Sequence, residues 1–183
     1  MPFKKTSIEG LMEFTPKVFR DERGYFFESH NEKLFEQEGI KTHFVQDNQS
    51  KSTKGVLRGL HYQCGEYAQA KLVRVVQGRV QDVAVDLRQE SPTYGRHHSV
   101  ILDAEKHNQF YIPRGFAHGF LVLSETAIFC YKCDNFYDKA SEGGILCTDP
   151  KLNIAWELPP SELILSEKDR NQPVFGQHRP IFQ

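Results

Sequence analysis

Lys71-Leu72-Val73-Arg74-Val75-Val76-Gln77-Gly78-Arg79-Val80-Gln81-Asp82-Val83-Ala84-Val85-Asp86-Leu87-Arg88 is the stretch from which the fold is read. Two runs rich in β-branched residues flank Gln77-Gly78, a pattern that predicts a β-hairpin over 71–88. In the second run Val83, Val85 and Leu87 alternate with Ala84, Asp86 and Arg88, the period of a half-buried strand. Working outward, strand signals recur at 22–30, 42–47, 55–63, 98–102, 109–112, 119–123 and 127–132. The best helix is short, at 31–38, with Asn31 as N-cap and Gly39 as its stop. Residues 149–158 and 161–169 read as loops or short helical turns, and an irregular tail begins at about 170. No repeat, low-complexity tract or linker interrupts the chain, so 1–183 is expected to be one domain. Many short strands with closely spaced turns predict an all-β sandwich or barrel. A doubly wound α/β fold is disfavoured, because helices of the required length do not alternate with the strands.

Composition narrows the function classes. The chain has 183 residues, 39% hydrophobic and 26% charged, with a formal net charge of -1. That length can bury a real core. The balance supplies no basic field for nucleic acid or an anionic membrane, so an anionic ligand must be held by local Arg and Lys. Lys4 and Lys5 precede no apolar h-region, and no apolar run approaches a membrane span, which argues against a signal peptide or an anchor. The four Cys (64, 130, 133 and 147) form no disulfide-scaffold pattern, so reduced thiols in a cytoplasm are expected.

Chemistry-bearing residues cluster around Gly55-Val56-Leu57-Arg58-Gly59-Leu60-His61-Tyr62-Gln63, with Lys71 heading the next run. A strand His is more often structural than catalytic, but Arg58 and Lys71 beside it would keep it neutral and basic. In a regular strand Arg58 and His61 point to opposite faces. Both reach one pocket only if the strand bulges, and Gly59 permits that. A second His, His118, lies just inside a strand entered through Pro113 and Gly115. Tyr131 is either a core aromatic or a neutral acid, since a phenol stays protonated at pH 7. Asp169, in Leu163-Ile164-Leu165-Ser166-Glu167-Lys168-Asp169, is either a solvated charge or the carboxylate that orients a catalytic His. Arg23 with Glu28, and Gln46-Asp47-Asn48, are polar groups at strand mouths that would suit a sugar or phosphate. Cys130 and Cys133 have CxxC spacing but no second ligand pair, which speaks against zinc. No GxSxG, Walker A or dinucleotide fingerprint occurs, disfavouring a serine hydrolase, an ATPase and a Rossmann enzyme.

Taken together, Asp21-Glu22-Arg23-Gly24 with Phe26-Phe27-Glu28, Phe44-Val45-Gln46-Asp47-Asn48, Val56-Leu57-Arg58-Gly59-Leu60-His61, Lys71-Leu72-Val73-Arg74, Asp82-Val83-Ala84-Val85-Asp86 and Ile112-Pro113-x-Gly115-Phe116-Ala117-His118-Gly119-Phe120 resemble the dTDP-4-dehydrorhamnose 3,5-epimerases. The likeness runs in register from about residue 8 to about residue 170. It implies a cupin-type jelly-roll barrel with a few short helices, a homodimer, no cofactor and no metal. It implies a dTDP-sugar substrate, dTDP-4-dehydro-6-deoxy-α-D-glucose, converted to dTDP-4-dehydro-β-L-rhamnose. The family's base falls on His61, backed by Asp169; its proton donor falls on Tyr131. Lys71 falls where the family places the cation facing the C4 oxygen. Arg23, Glu28, Gln46, Asp47, Asn48, Arg58, His118, Glu142 and Lys168 fall on substrate-binding positions, and Tyr137 is placed to stack on thymine. Two departures are Tyr62, where many members have Phe, and the pair Phe136-Tyr137. A metal-dependent cupin would carry a second His at Gln63 and a following Glu, and this chain has neither. Two further readings, a single-centre sugar-nucleotide epimerase or ketoisomerase and a non-catalytic sugar-binding jelly roll, use the same scaffold. The second of these leaves the acid–base residues without a purpose.

Overall fold

The computed structural model describes residues 2–182. Thirteen short strands appear among them: β1 (Phe3–Lys5), β2 (Met12–Phe14), β3 (Phe19–Asp21), β4 (Gly24–Phe26), β5 (Gln46–Thr53), β6 (Leu57–Gln63), β7 (Lys71–Gln77), β8 (Arg79–Asp86), β9 (His97–Asp103), β10 (Gln109–Ile112), β11 (Phe116–Val122), β12 (Thr126–Cys133) and β13 (Glu142–Gly144). They form a six-stranded sheet ordered β1-β2-β10-β7-β12-β5, a five-stranded sheet ordered β13-β6-β11-β8-β9, and the separate hairpin β3-β4. From β5 to β8 successive strands alternate between the two large sheets, as they do from β9 to β12. That alternation is the jelly-roll barrel that the family resemblance implies, and it falls within the all-β sandwich or barrel expected from the strand pattern.

The 71–88 stretch does not form the hairpin its pattern predicts. β7 pairs with β10 and β12, whereas β8 pairs with β11 and β9 in the facing sheet. Gln77-Gly78 is therefore the corner where the chain crosses between sheets. Gly78 has φ +79°, and a Cβ there would lie 2.1 Å from the Thr126 carbonyl oxygen, so only glycine fits. β8 is also not half-buried: after Arg79 every residue of it is enclosed. Val80 and Ala84 face the inter-sheet core, while Val83, Val85 and Leu87 pack against a second core on the outside. The polar residues of the run stay buried because they find partners. Asp86 accepts hydrogen bonds from Arg88, Ser91 and Thr93, and these hold its carboxyl at about 2 against the pull of burial.

Three apolar clusters hold the layers together. Residues of both sheets, among them Val73, Phe110, Phe120 and Phe129, fill the space between them. The outer face of the five-stranded sheet is covered by residues 145–181, with Ile145, Leu152 and Ile181 packed on Leu60, Tyr62 and Val85. The outer face of the six-stranded sheet is covered by α1 (Glu32–Gln37) and residues 40–44. α1 forms as read. The Asn31 side chain accepts from the Leu34 N–H, and Gly39 N–H closes on the Glu36 carbonyl just past its end. Phe35 is its buried anchor, against Phe3 and Phe14.

Two expected strands are displaced. The 22–30 run gives only β4, because Glu22-Arg23 forms the turn of the β3-β4 hairpin and the strand ends at Phe26. The 42–47 run contributes only its last residues to β5, and Phe44 is spent on the α1 cluster instead. After α2 (Glu167–Arg170) the chain is irregular but tied down: Leu146 N–H donates to Pro173 O, and Gly65 N–H to Ile181 O. Tyr62, the departure noted above, donates its hydroxyl to Arg179 O at 2.6 Å, adding a tie that Phe could not make.

Candidate active site

Between the two large sheets lies a cavity of about 630 Å³ lined by Arg58, His61, Lys71, His118, Tyr131, Lys168 and Asp169 among others. A second lobe of about 300 Å³ adjoins it and adds Gln46, Gln63, Tyr137 and Glu142. Asn48, His61, Lys71 and Tyr131 line both lobes and so stand at their junction. The six-stranded sheet presents Lys71 from β7, Tyr131 from β12 and Asn48 from β5; the five-stranded sheet presents His61 from β6 and His118 from β11. The base-like and acid-like side chains thus come from opposing walls.

Arg58 and His61 share the cavity because β6 bulges. His61 pairs with His118 and Arg58 with Phe120, so three steps along β6 are matched by two along β11. The extra residue turns Arg58 to the face His61 uses. Gly59 has φ +134°, and a Cβ on it would lie 2.6 Å from Gly119 Cα and 2.9 Å from His118 O. Glycine is required there by conformation and by contact alike. Arg58 Nε donates to Ser52 Oγ at 3.2 Å, leaving the rest of its guanidinium for a ligand.

His61 Nε2 lies 2.5 Å from Asp169 Oδ1. Asp169 is 4% exposed, and α2 delivers it from 108 residues away in sequence. Burial raises the Asp169 carboxyl, but the hydrogen bonds from His61 and Ser166 and the nearby Lys168 charge outweigh it and hold it below the usual carboxylate range. An ionised carboxylate only accepts, so His61 Nε2 carries the hydrogen. Its Nδ1 is then the ring nitrogen with a free lone pair.

Across the cavity, burial pushes the Tyr131 phenol up, with Cys133 adding to the effect and Arg58 opposing it. It remains a proton donor at neutral pH. Lys71 is moved the other way: burial lowers it, against the opposing influence of Cys133 and Asp82. Its ammonium lies 5.8 Å from the centroid of the Tyr131 ring. Lys168 bridges to Glu142, with Nζ 2.7 Å from either carboxylate oxygen, and spans the rims of the two lobes.

Three residues expected at a ligand do not line either lobe. Asp47 lies between Gln46 and Asn48 on β5, so strand alternation sends it to the outer face, where it pairs with Lys132 at 2.7 Å. Arg23 sits at the exposed tip of the β3-β4 hairpin and pairs with Asp21. Glu28 accepts from the Asn31 side chain at 3.2 Å. Alternation also separates the CxxC thiols: Cys130 meets Gln49 outside, and Cys133 accepts from Asn48 inside. All four cysteines are free.

Asp82 and Ser166 have partners that their sequence motifs did not assign to them. Asp82 is fully buried, 3.0 and 2.9 Å from His118 Nε2 through its two oxygens. A carboxylate inside a β-branched run was the signal, since it can be buried only with a partner. Ser166 Oγ donates to Asp169 Oδ2 at 2.8 Å and accepts from Asp169 N–H at 3.1 Å. Its signal was the Ser-x-x-Asp spacing of a capped helix start.

Residues 5–177 match the family model described as dTDP-4-dehydrorhamnose 3,5-epimerase. The chain belongs to the dTDP-4-dehydrorhamnose 3,5-epimerase family. The family's cupin-like jelly roll is the fold described above, and the chain is an isomerase. It is 58% identical over 172 residues to the dTDP-4-dehydrorhamnose 3,5-epimerase of Shigella flexneri, covering 93% of this chain and 94% of that protein. The crystal structure of the epimerase from Elizabethkingia anophelis superposes with a TM-score of 0.91 at 57% identity, over 94% of this chain and 95% of that one. The Legionella pneumophila enzyme, solved in complex with dTDP-4-keto-L-rhamnose, gives a TM-score of 0.90 at 50% identity, over 94% of this chain and 91% of that one.

Proposed function

We propose that this member of the family epimerises dTDP-4-dehydro-6-deoxy-α-D-glucose at C3 and C5, giving dTDP-4-dehydro-β-L-rhamnose for dTDP-L-rhamnose biosynthesis, with His61 as base and Tyr131 as acid. The observation that carries the assignment is their placement on opposing sheets across one cavity, at the junction of its lobes. The C4 ketone acidifies the hydrogens on C3 and C5. His61 Nδ1 takes one of them, the C–H electron pair moves into the C3–C4 or C4–C5 bond, and the carbonyl becomes an enolate. Asp169 stabilises the imidazolium so formed. Lys71 stabilises the oxyanion as a positioned charge. Tyr131 then gives its proton to the same carbon from the other face, which inverts the centre; the His61 imidazolium releases its proton to solvent, the Tyr131 phenolate takes one back from solvent, and the cycle repeats at the second carbon. Positioned acid–base groups of this kind contribute roughly 10²–10⁴ each.

Arg58 and Lys168 hold the diphosphate, while Gln46, Asn48, His118, Tyr137 and Glu142 contact sugar and base. Arg23 and Glu28, which do not line their own chain's cavity, act from the second copy of a homodimer. No helix among the described residues is long and apolar enough to cross a membrane. A cytoplasmic location for the reaction is part of the same proposal and does not rest on that.

The test is turnover to the L-rhamnose precursor, coupled to a reductase that consumes the product. His61→Ala should abolish it. Tyr131→Phe should impair inversion more than proton removal. Wild-type turnover in either variant would overturn the assignment of that residue.

A further inference from the structure

Asp169 can serve His61 only if its carboxylate is turned correctly, and the backbone alone does not fix that turn. Ser166 does so through two hydrogen bonds. Its Oγ accepts from Asp169 N–H at 3.1 Å, which caps α2, and its O–H donates to Asp169 Oδ2 at 2.8 Å. With Oδ2 engaged, Oδ1 is left facing His61 Nε2 at 2.5 Å. The two oxygens are thereby divided between one donor on each side. α2 is only four residues long, and its buried side chain is Asp169, so little else in the helix holds this carboxylate. Ser166 itself lines the cavity.

We propose that Ser166 is a positioning residue of the epimerase, acting on His61 through Asp169 in a Ser166–Asp169–His61 relay. It touches no reacting atom. Its O–H keeps the carboxylate in the rotamer that fixes the His61 tautomer and faces the imidazolium during each proton abstraction. The proposal rests on the His61 assignment above. A merely structural role is separable, because the same side chain is also the helix cap, and replacing Ser by Gly at an N-cap costs much less stability than replacing it by Ala.

The experiment compares Ser166→Ala, Ser166→Gly and Ser166→Thr with the wild-type chain for kcat, KM and thermal midpoint, using the dTDP-4-keto-6-deoxy sugar as substrate. A hydrogen bond to an ionised group of this kind supports about a ten- to hundredfold effect on rate. Ser166→Ala and Ser166→Gly should both lose kcat by about that factor with KM within about twofold, although Gly retains more of the stability. Ser166→Thr, which keeps the hydroxyl, should recover most of kcat. Wild-type kcat in the Ala or Gly variant would overturn the relay. So would a Gly variant whose activity recovers along with its stability, or a loss carried entirely by KM. If wild-type enzyme turned over while His61→Ala did too, the His61 assignment would fail first, and the two failures are thereby told apart.

Discussion

Replacing Asp169 by Asn should cost the enzyme most of its turnover while leaving its ligand affinity in place. The side chain is nearly isosteric, so the 2.5 Å contact to His61 Nε2 and the fold around it are retained in outline. What is lost is a charge. Charge centres about 4 Å apart attract by about 4 kcal/mol at an effective dielectric constant of 20. The His61 side chain is 36% exposed, so solvent screening removes roughly half of this, leaving about 2 kcal/mol, or about 30-fold in rate. A second defect adds to it. The Asn amide can present its NH₂ to Nε2, which would then have to accept, moving the ring hydrogen to Nδ1 and removing the lone pair that abstracts the proton. Together the two effects predict a fall in kcat of about 10² to 10³. The assay is steady-state turnover, with dTDP binding measured separately by calorimetry. Turnover within about threefold of wild type would refute the reasoning, because a buried carboxylate with no bearing on the base would then have been replaced. Weakened dTDP binding with unchanged kcat would refute it as well.

Two further outcomes follow from the same structure. The proposed mechanism uses Lys71 as a cation, and burial lowers its pKa, so its charge is present at low pH and is lost as pH rises through that lowered value. Activity should therefore decline on the alkaline side before an ordinary lysine would titrate, and Lys71→Arg should move that limb upward; an identical alkaline limb in the Arg variant would contradict the assignment. Tyr62→Phe removes the hydroxyl that holds Arg179 O at 2.6 Å and should destabilise the chain by about 1 kcal/mol, seen as a fall of roughly 3 °C in the thermal midpoint. An unchanged midpoint would show that this tie contributes nothing.

How far the sequence disclosed this molecule depends on which residues are asked. The strand content and the capped helix α1 were legible, because alternation and the Asn31–Gly39 signals are local. The pairing of β7 with β8 was misread for a physical reason. A turn dipeptide between two β-branched runs looks the same whether the chain folds back within a sheet or crosses to the facing one, and only burial on both faces of β8 distinguishes them. The bulge at Gly59 was anticipated as a condition, since Arg58 and His61 are an odd number of steps apart, and the register supplies it. The His61–Asp169 pair was not derivable from spacing, because 108 residues separate the partners and only the family resemblance linked them. Asp47 shows what a strand's period adds to a motif: of the polar triplet 46–48, alternation turns Gln46 and Asn48 to the cavity and Asp47 to Lys132.

The most direct test of the account is the deuterium content of the product formed in D₂O. In the proposed mechanism each inversion removes a carbon-bound hydrogen to His61 and returns one from Tyr131, whose hydroxyl exchanges with solvent. The account predicts one deuteron at C3 and one at C5 of the dTDP-4-dehydro-β-L-rhamnose formed by the wild-type chain, read by NMR, and none at either carbon with His61→Ala. Product formed without deuterium at either carbon would contradict proton abstraction altogether, and deuterium at one carbon alone would contradict the double epimerisation.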